Sequence, residues 1–293
     1  MAHHTASSKT EPEANTWLVG SRNIDLSRAG MIMGIVNVTP DSFSDGGHFQ
    51  DSGAATDRAL TLEEEGAAII DFGGESTRPG AAEVTVNDEL MRVLPPIEEF
   101  ASRRRPKTLI SIDTSKPEVA SAALEAGADI INDVTGFSNP EMRSVAAGSN
   151  CGMVLMHMLG TPRNMQKDPQ YGNVTREVMS YWRQQLDLCA QDGIATQRVV
   201  LDPGIGFGKS LSHNLDLLKA LPEMQHSGRP LLMGVSRKSF IATLVGKEGI
   251  ANREWPTVAL SAYLRQQGAA ILRVHDPQPN LQAMRMSEAI LHR

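Results

Sequence analysis

The sequence predicts an α/β fold, and within that class a closed (β/α)8 TIM barrel that forms a single domain over residues 17–293. Three observations support this prediction. Short apolar runs alternate with longer amphipathic segments from Met31 onward, the alternation yields eight runs and eight helical segments, and 293 residues is an ordinary length for such a barrel. An open, doubly wound sheet is the structural alternative, because a sequence does not by itself prove closure.

The predicted strands are short runs rich in Ile, Val and Leu, and the predicted helices carry Ala, Glu and Leu at helical spacing. The strands are expected at 31–36, 67–72, 108–112, 129–131, 152–156, 198–201, 231–235 and 269–274. The helices are expected at 52–66, 87–104, 117–126, 139–148, 173–192, 211–225, 238–266 with a break near 246–249, and 278–291.

Composition excludes several classes of protein. A net charge of −6 argues against a general nucleic-acid surface, and no apolar stretch is long enough to span a bilayer. Cys151 and Cys189 are too few and too far apart for a disulfide framework or a zinc site, so a cytoplasmic location is expected. Residues 1–16 are polar and lack the apolar core of a signal peptide, and we interpret them as a disordered leader.

The loop from Leu201 to Lys209 contains three glycines and follows an apolar run that ends in a carboxylate, which is typical of a binding loop. It is not a P-loop, because Pro203 stands where the first glycine would be needed. Nor is it a dinucleotide fingerprint, because Lys209 replaces the last glycine. The alternative is that the glycines only shape a tight turn.

Reactive side chains follow every predicted strand at its carboxyl end, where barrel enzymes build their sites. In strand order they are Asn37; Glu75, Ser76, Thr77 and Arg78; Asp113; Asn132 and Asp133; His157; Asp202; Ser236, Arg237 and Lys238; and Arg273 and His275. Any one of them could be a loop residue or a helix cap, and Asn139 is expected to be no more than a cap. The coincidence over eight strands favours a functional site.

The residue types indicate the chemistry. Asp113, Asn132 and Asp202 suit a flat heterocycle with an N–C–N edge, since a carboxylate accepts two coplanar N–H donors side by side. Arg273 and His275 lie two apart on the last strand and form a candidate anion clamp. The chain has no nucleophile elbow and no His-x-x-x-His zinc signature, and His157 is interpreted as a structural histidine.

Eight segments together resemble the dihydropteroate synthase family of the bacterial folate pathway, over residues 24–291. They are GIVNVTPDSFSDGG (34–47), DFGGESTRPGA (71–81), SIDTSKPEVA (111–120), IINDVTGF (130–137), VLMHMLGTPRNMQ (154–166), LDPGIGFGKSLSHN (201–214), GVSRKSFI (234–241) and RVHD (273–276). The resemblance implies a (β/α)8 barrel. It also implies condensation of 6-hydroxymethyl-7,8-dihydropterin diphosphate with p-aminobenzoate, with Mg²⁺ present and pyrophosphate released.

The resemblance also assigns residues to parts of the site. It places Asp113, Asn132, Asp202 and Lys238 on the pterin, with Met156 against the ring. It places Thr77, Arg273 and His275 on the diphosphate, and Asn37 on Mg²⁺ with Asp45 as a possible second ligand. The p-aminobenzoate pocket it implies is outlined by Phe43, Arg78, Pro79, Phe207, Lys238 and Ser239. The residues expected to act in catalysis are Asp113, Asp202, Lys238, Arg273 and His275.

The chain departs from the family pattern at residues 252–257, where Asn-Arg-Glu-Trp-Pro-Thr stands in place of the common Arg followed by Gly-Ser or Gly-Thr. The family's homodimer packs through this region, and the resemblance implies a homodimer for this chain. The loop that contains Phe43 and the Glu-Ser-Thr-Arg-Pro loop at 75–79 are the ones that differ in the family's sulfonamide-insensitive relatives. Both have the family's ordinary sequence here, so the resemblance implies sensitivity to sulfonamides. Two other functions stay open: a pterin-binding methyltransferase domain and a pterin-binding paralogue without catalysis.

Overall fold

The structure, a computed structural model, describes residues 15–39, 48–77, 80–246 and 253–293. Ten strands are found in that part of the chain: β1 Thr16–Val19, β2 Arg22–Asp25, β3 Met31–Asn37, β4 Ile69–Gly73, β5 Leu109–Asp113, β6 Ile130–Asp133, β7 Gly152–Met156, β8 Val199–Asp202, β9 Leu232–Met233 and β10 Ile271–Val274. The helices described are α1 His48–Glu64, α2 Val86–Arg103, α3 Pro117–Glu125, α4 Pro140–Ala147, α5 Val174–Gln191, α6 Leu211–Lys219, α7 Leu221–Met224, α8 Ser239–Val245, α9 Glu254–Gln266 and α10 Pro277–Leu291.

Strands β3 to β10 form one parallel sheet in which neighbours in sequence are neighbours in space, and β10 returns to pair with β3. The last gap, between β8 and β9, is closed by a single parallel bridge between Leu201 and Leu231, supported by a 2.9 Å hydrogen bond from Leu201 N to Pro230 O. The (β/α)8 barrel is therefore confirmed, and the open doubly wound sheet is ruled out because its strand order would reverse at a switch point.

A short antiparallel hairpin, β1 and β2, covers the amino-terminal end of the barrel, and the sequence analysis did not predict it. Trp17 on β1 is fully buried and packs with inward-facing residues of the barrel strands, and its Nε1 donates to Arg198 O at 2.8 Å. Thr16, assigned to the leader from the sequence, instead begins β1. Residues 1–14 lie outside the described residues, so the leader stays a prediction there.

The inward-facing positions of the barrel form two layers because side chains alternate along each strand. The lower layer is apolar and includes Ile69, Ile130, Val200 and Ile271. Two residues further along the same strands, the upper layer is polar, and its members are Asp71, Asn132, Asp202 and Arg273. The period-2 alternation thus separates a hydrophobic floor from a charged mouth.

The predicted helix over 211–225 is wrong in its continuity, because α6 ends at Lys219 and α7 starts at Leu221 with Pro222 in its first turn. Proline lacks a backbone N–H and so cannot continue the α6 ladder. The predicted break in 238–266 is confirmed: α8 ends at Val245 and is capped by Gly246, whose φ of 66° is left-handed. Asn139 caps α4 through Glu141 N, as expected. None of the described helices is long and apolar enough to cross a membrane.

Candidate active site

An ion-pair network occupies the centre of the barrel mouth. Arg273, near the end of β10, donates from Nε to Asp71 Oδ2 and from Nη2 to Asp113 Oδ2, each at 2.6 Å. Asn132 donates from Nδ2 to the same Asp71 oxygen at 3.1 Å. Arg273 therefore contacts Asp113 directly and is linked to Asn132 through Asp71, which was not predicted for the site.

Burial and charge shift the acidity of this network. Burial raises the pKa of Asp113 to about 7, the positive charge of Arg273 opposes the rise, and neighbouring carboxylates including Asp71 add to it. Burial also works against the charged form of Arg273, but Asp71 and Asp113 together hold its pKa above the ordinary value. The guanidinium is a fixed positive charge, and Asp113 is a carboxyl that can change charge near neutral pH.

Asp202, the last residue of β8, anchors the glycine loop that follows it. Its Oδ1 accepts the backbone N–H of Gly204 at 2.7 Å. Gly204 has a φ of 65°, and a Cβ there would lie 1.9 Å from His157 O, so only glycine fits this turn. Burial raises the pKa of Asp202, while the charge of Lys238 opposes that shift. One carboxylate oxygen thus shapes the loop, and the group stays available for a hydrogen-bond donor in the mouth.

Lys238 lies beside the same loop. Its Nζ donates to Ile205 O and lies 4.5 Å from the centroid of the Phe207 ring. Burial lowers the pKa of Lys238 to about 8, and the negative charge of Asp202 works against that decrease. The structure therefore brings together Asp202, Lys238 and Phe207, which the sequence analysis assigned to the pterin and p-aminobenzoate.

The backbone that carries Lys238 is held in an unusual conformation. Arg237 has a φ of 57°, which is left-handed and uncommon for a residue with a side chain. Its Nη2 donates to Asp276 Oδ2 at 2.7 Å, its Nε lies 2.5 Å from Glu254 Oε1, and its backbone N–H donates to Thr257 Oγ1 at 3.3 Å. Glu254 and Thr257 belong to the segment that departs from the family pattern, and here they support the loop after β9.

His275 and Ser236 connect the last two strands at the mouth. Ser236 Oγ and His275 Nδ1 are 2.9 Å apart, and the backbone N–H of His275 donates to Ser236 Oγ at 3.2 Å. Arg58 on α1 donates from Nη2 to His275 O at 2.7 Å. These bonds fix the position of His275 two residues beyond Arg273, as the anion-clamp prediction requires.

Lys209 is a buried cation for which the sequence analysis assigned no role. Its Nζ lies 3.0 Å from His157 Nδ1 and donates to Phe207 O at 2.9 Å. Burial lowers the pKa of Lys209 to about 7, and burial followed by the Lys209 charge lowers that of His157 to about 3. His157 is therefore a neutral structural residue that holds the glycine loop in place through Lys209.

A second buried cluster supports the loop after β4. Lys116 Nζ lies 2.5 Å from Glu75 Oε2 and 2.5 Å from Glu89 Oε2, and Glu89 is fully buried on α2. Glu75 also accepts the backbone N–H of Val84 at 3.1 Å through Oε1. The cluster fixes the start of the loop that contains Thr77, which is half-buried.

The structure also shows where three further predicted residues lie. Asn37 is exposed at the end of β3, Ser239 is exposed at the start of α8, and Met156 is buried at the end of β7. The predictions for Phe43, Asp45, Arg78 and Pro79 lie outside the described residues.

Asp71 is the functional candidate that sequence reasoning missed. It was counted as part of an apolar strand, whereas the structure makes it a fully buried acid with two polar partners. The signal was present: a carboxylate between Ile70 and Phe72 in a buried strand needs a partner, because burying an unpaired charge is very costly. Its partners could not be identified without the fold.

Comparison with known proteins gives a consistent family. The family described as Pterin binding enzyme matches residues 33–275. A dihydropteroate synthase from Escherichia coli (strain K12) is 48% identical over 269 residues, which cover 92% of this chain and 94% of that protein. One from Synechocystis sp. is 42% identical over 273 residues, covering 93% and 94% respectively.

Solved structures agree with these relatives. A Yersinia pestis dihydropteroate synthase in complex with a sulfonamide drug superposes with a TM-score of 0.88 at 41% identity, covering 95% of this chain and all of that one. A Xanthomonas albilineans dihydropteroate synthase with 4-aminobenzoic acid gives the same TM-score and identity, covering 95% of this chain and 99% of the other.

Proposed function

The chain belongs to the dihydropteroate synthase family of pterin-binding enzymes, and from this premise we infer that it is a transferase of folate biosynthesis. It joins p-aminobenzoate to 6-hydroxymethyl-7,8-dihydropterin diphosphate. The amino nitrogen forms a bond to the methylene carbon, the bond from that carbon to the diphosphate oxygen breaks, and the nitrogen loses one proton. The products are 7,8-dihydropteroate and pyrophosphate.

The observation that carries this function is the set of polar side chains at the barrel mouth. Asp202 and Asn132 are buried there, Asp113 lies next to them on β5, and Lys238 faces the same region. Carboxylate and amide oxygens accept the N–H groups of a pterin edge, and an ammonium can donate to its ring carbonyl. A hydrophobic floor beneath them limits how deeply a planar ring can enter.

The site suits a reaction that needs charge stabilisation more than a strong base. If the diphosphate departs with the bonding electrons, positive charge develops on the methylene carbon and is shared with the pterin ring. Asp113 and Asp202 stabilise that charge when they are ionised. An aniline nitrogen is uncharged at neutral pH, so it needs positioning and little activation. No nucleophilic side chain is required by this scheme.

The departing diphosphate is assigned to Arg273, His275 and Thr77. Arg273 keeps its positive charge at every physiological pH, and its guanidinium matches phosphate oxygens in geometry. His275 lies two residues further along the same strand and contributes a second polar group. Together they favour the accumulation of negative charge on the leaving group.

We propose Mg²⁺ as the metal cofactor, bound by Asn37 and Asp45 together with the substrate diphosphate. Among the described residues, no three His, Cys, Asp or Glu side chains are grouped closely enough to enclose a metal ion. Mg²⁺ commonly keeps several waters and takes only one or two protein ligands beside substrate phosphates, and the exposed amide of Asn37 fits that mode. When bound, the ion would neutralise charge on the diphosphate oxygens.

The p-aminobenzoate pocket is assigned to Phe43, Arg78, Pro79, Phe207, Lys238 and Ser239. Phe207 and Lys238 lie side by side, and this supports the assignment because the pair offers an aromatic face and a cation to the second substrate. An aromatic acid carries a flat ring and an anionic group, so it matches both features. Sulfonamides that mimic p-aminobenzoate should therefore inhibit the enzyme.

One assay tests the proposed function. Purified protein is given the pterin diphosphate and Mg²⁺, and pyrophosphate release is measured with and without p-aminobenzoate. Release that depends on p-aminobenzoate, together with formation of dihydropteroate, is the expected result. Pterin binding without release would identify a paralogue without catalysis, and pterin binding with methyl transfer to a corrinoid would identify a methyltransferase domain.

We also propose that the chain forms a homodimer and works in the cytoplasm. Both α9 and α10 carry exposed apolar side chains: Trp255 is 79% exposed, Met286 65% and Ile290 67%. A second copy of the chain is the partner proposed for these side chains, and Trp255→Glu should shift the sedimentation of the protein toward the monomer. The cytoplasmic location is supported by two buried, unpaired cysteines, Cys151 and Cys189.

A further inference from the structure

Asp71 has properties that the pterin site does not explain. Its side chain is fully buried, its Oδ2 accepts from both Arg273 and Asn132, and its Oδ1 has no hydrogen-bond partner among the described residues. A buried carboxylate is stable only if it is paired, and Arg273 supplies the balancing charge at 2.6 Å. Asp71 and Arg273 therefore form a buried ion pair.

Arg273 uses two different ends of its guanidinium. The Nε end faces Asp71, which has no access to solvent, and the Nη2 end faces Asp113, whose side chain is 13% exposed. The inner contact is closed off, whereas the outer contact lies at the mouth where substrates arrive. The two ends are thus placed to behave differently when a ligand enters.

Asp113 has two competing tasks. Under the proposed function it accepts an N–H of the pterin, yet in this structure its Oδ2 accepts from Arg273. Under the same proposal, Arg273 binds the diphosphate, whose oxygens compete with Asp113 for the guanidinium. A substrate that carries both groups can resolve the competition by drawing Nη2 to the diphosphate while the pterin takes Asp113.

We propose that Asp71 is the positioning residue for Arg273: it retains the Nε end of the guanidinium, so that the Nη2 end can exchange between Asp113 and the substrate diphosphate. Asp71 itself touches neither substrate. If Asp71 loses its charge, Asp113 becomes the main anionic partner of Arg273, and the ion pair between Asp113 and Arg273 becomes stronger. A pterin that binds Asp113 must then displace a guanidinium that is held more firmly. This inference rests on the proposed function of the site.

A competing explanation is that Asp71 acts through Asn132, to which it is also bonded. A double-mutant cycle separates the two, because coupling is seen only between residues that act together. Binding of the pterin diphosphate and of the free pterin alcohol is measured by calorimetry for the wild type, Asp71→Asn, Arg273→Met and the double variant. The isosteric amide in Asp71→Asn preserves shape and removes charge.

The expected result is that Asp71→Asn weakens both ligands by about tenfold, the equivalent of about 1.4 kcal/mol. In the Arg273→Met background the same substitution should change the affinity of the pterin alcohol by less than about threefold. The double variant should also melt at a higher temperature than Arg273→Met, since it no longer buries Asp71 without a counter-charge. A tenfold loss that persists in the Arg273→Met background would overturn the proposal and assign the effect to Asn132.

Controls keep the outcome interpretable. If Arg273→Met does not fold, the cycle is repeated with Arg273→Lys, because an ammonium keeps the charge but lacks the two separate ends of a guanidinium, so it cannot stay on Asp71 with one end while the other moves to the diphosphate. Asp133→Asn is the matched control: Asp133 is equally buried, but its oxygens accept from the Thr135 and Phe137 backbone, so it should lower the melting temperature with little effect on pterin affinity. The wild-type pyrophosphate assay reports on the proposed function separately, since the cycle can fail while that assay succeeds.

Discussion

Replacing Asp202 by Asn is the most direct test of the proposed contact between Asp202 and the pterin, because the structure determines how the new amide must lie. Asp202 Oδ1 accepts the backbone N–H of Gly204 at 2.7 Å, and that turn admits only glycine. An asparagine there must present its oxygen to Gly204, which turns its NH₂ group toward the barrel mouth. A donor then faces the N–H groups of the pterin in place of an acceptor.

The cost follows from the kind of bond that is lost. A hydrogen bond to a charged group contributes about 1.5–3 kcal/mol, and leaving a buried donor without an acceptor adds about 1–3 kcal/mol. Water at the mouth can accept a hydrogen bond from the new amide and so reduces the total cost. We expect the substitution to weaken pterin binding by about 2–4 kcal/mol, which is roughly a 30-fold to several hundred-fold loss of affinity. The fold should survive because the bond to Gly204 is kept.

Calorimetry with the pterin alcohol measures the affinity, and steady-state kinetics measures kcat/KM for the diphosphate. The exposed Asp216→Asn on α6 is the matched control, and it should behave like the wild type in both assays. Asp202→Asn with near-native affinity and turnover would refute the assignment of Asp202 to the pterin. If Asp202→Asn lowered the free energy of unfolding by as much as it lowered the free energy of pterin binding, the substitution would have disturbed the Gly204 turn and not only the contact with the pterin.

Three further predictions address other parts of the site. Burial raises the pKa of Asp113 to about 7, and only the ionised carboxylate accepts two N–H donors side by side. Pterin affinity measured by calorimetry should therefore rise as the pH increases from 6 to 8, and an affinity that does not change over this range would contradict the prediction. A sulfonamide should bind about tenfold or more tightly once pterin, pyrophosphate and Mg²⁺ are present, because the sequence predicts long connections over 38–48 and 73–86, with Phe43 in the first and Arg78 and Pro79 in the second, and we expect them to form the pocket only after the first substrate binds. Equal affinities in a titration with and without those ligands would exclude an induced pocket. Lys209→Met should lower the free energy of unfolding by about 1–3 kcal/mol in a denaturant titration, because His157 Nδ1 and Phe207 O lose a buried donor. An unchanged free energy of unfolding would show that the ammonium does not anchor the glycine loop.

The order of strands and the end of the barrel that carries the site could be predicted from the sequence. Each apolar run is followed by a polar residue, and parallel strands bring such residues to one edge. Asp113, Asn132, Asp202 and Arg273 were found on this basis, and the structure places all four at the mouth. Local spacing was sufficient because a strand's direction alone determines where its carboxyl end lies.

Two elements escaped prediction for physical reasons that a linear pattern does not contain. The β1–β2 hairpin is short and partly polar, and its burial depends on the open floor of a barrel that forms from distant strands. The split between α6 and α7 depends on a single proline within an otherwise continuous helical pattern, and such a residue ends some helices and only kinks others.

The fold class, the family and the residue types of the site could be predicted without the structure, because these depend on periodicity and on motifs in a fixed order. The pairing of the charged and polar groups became visible only in the folded chain: Asp71 with Arg273, Lys209 with His157, and Arg237 with Glu254 and Asp276. These partners are separated by 202, 52, 17 and 39 residues respectively. Pairing of buried charges is a property of distances in space, and closing the barrel is the step that sets those distances.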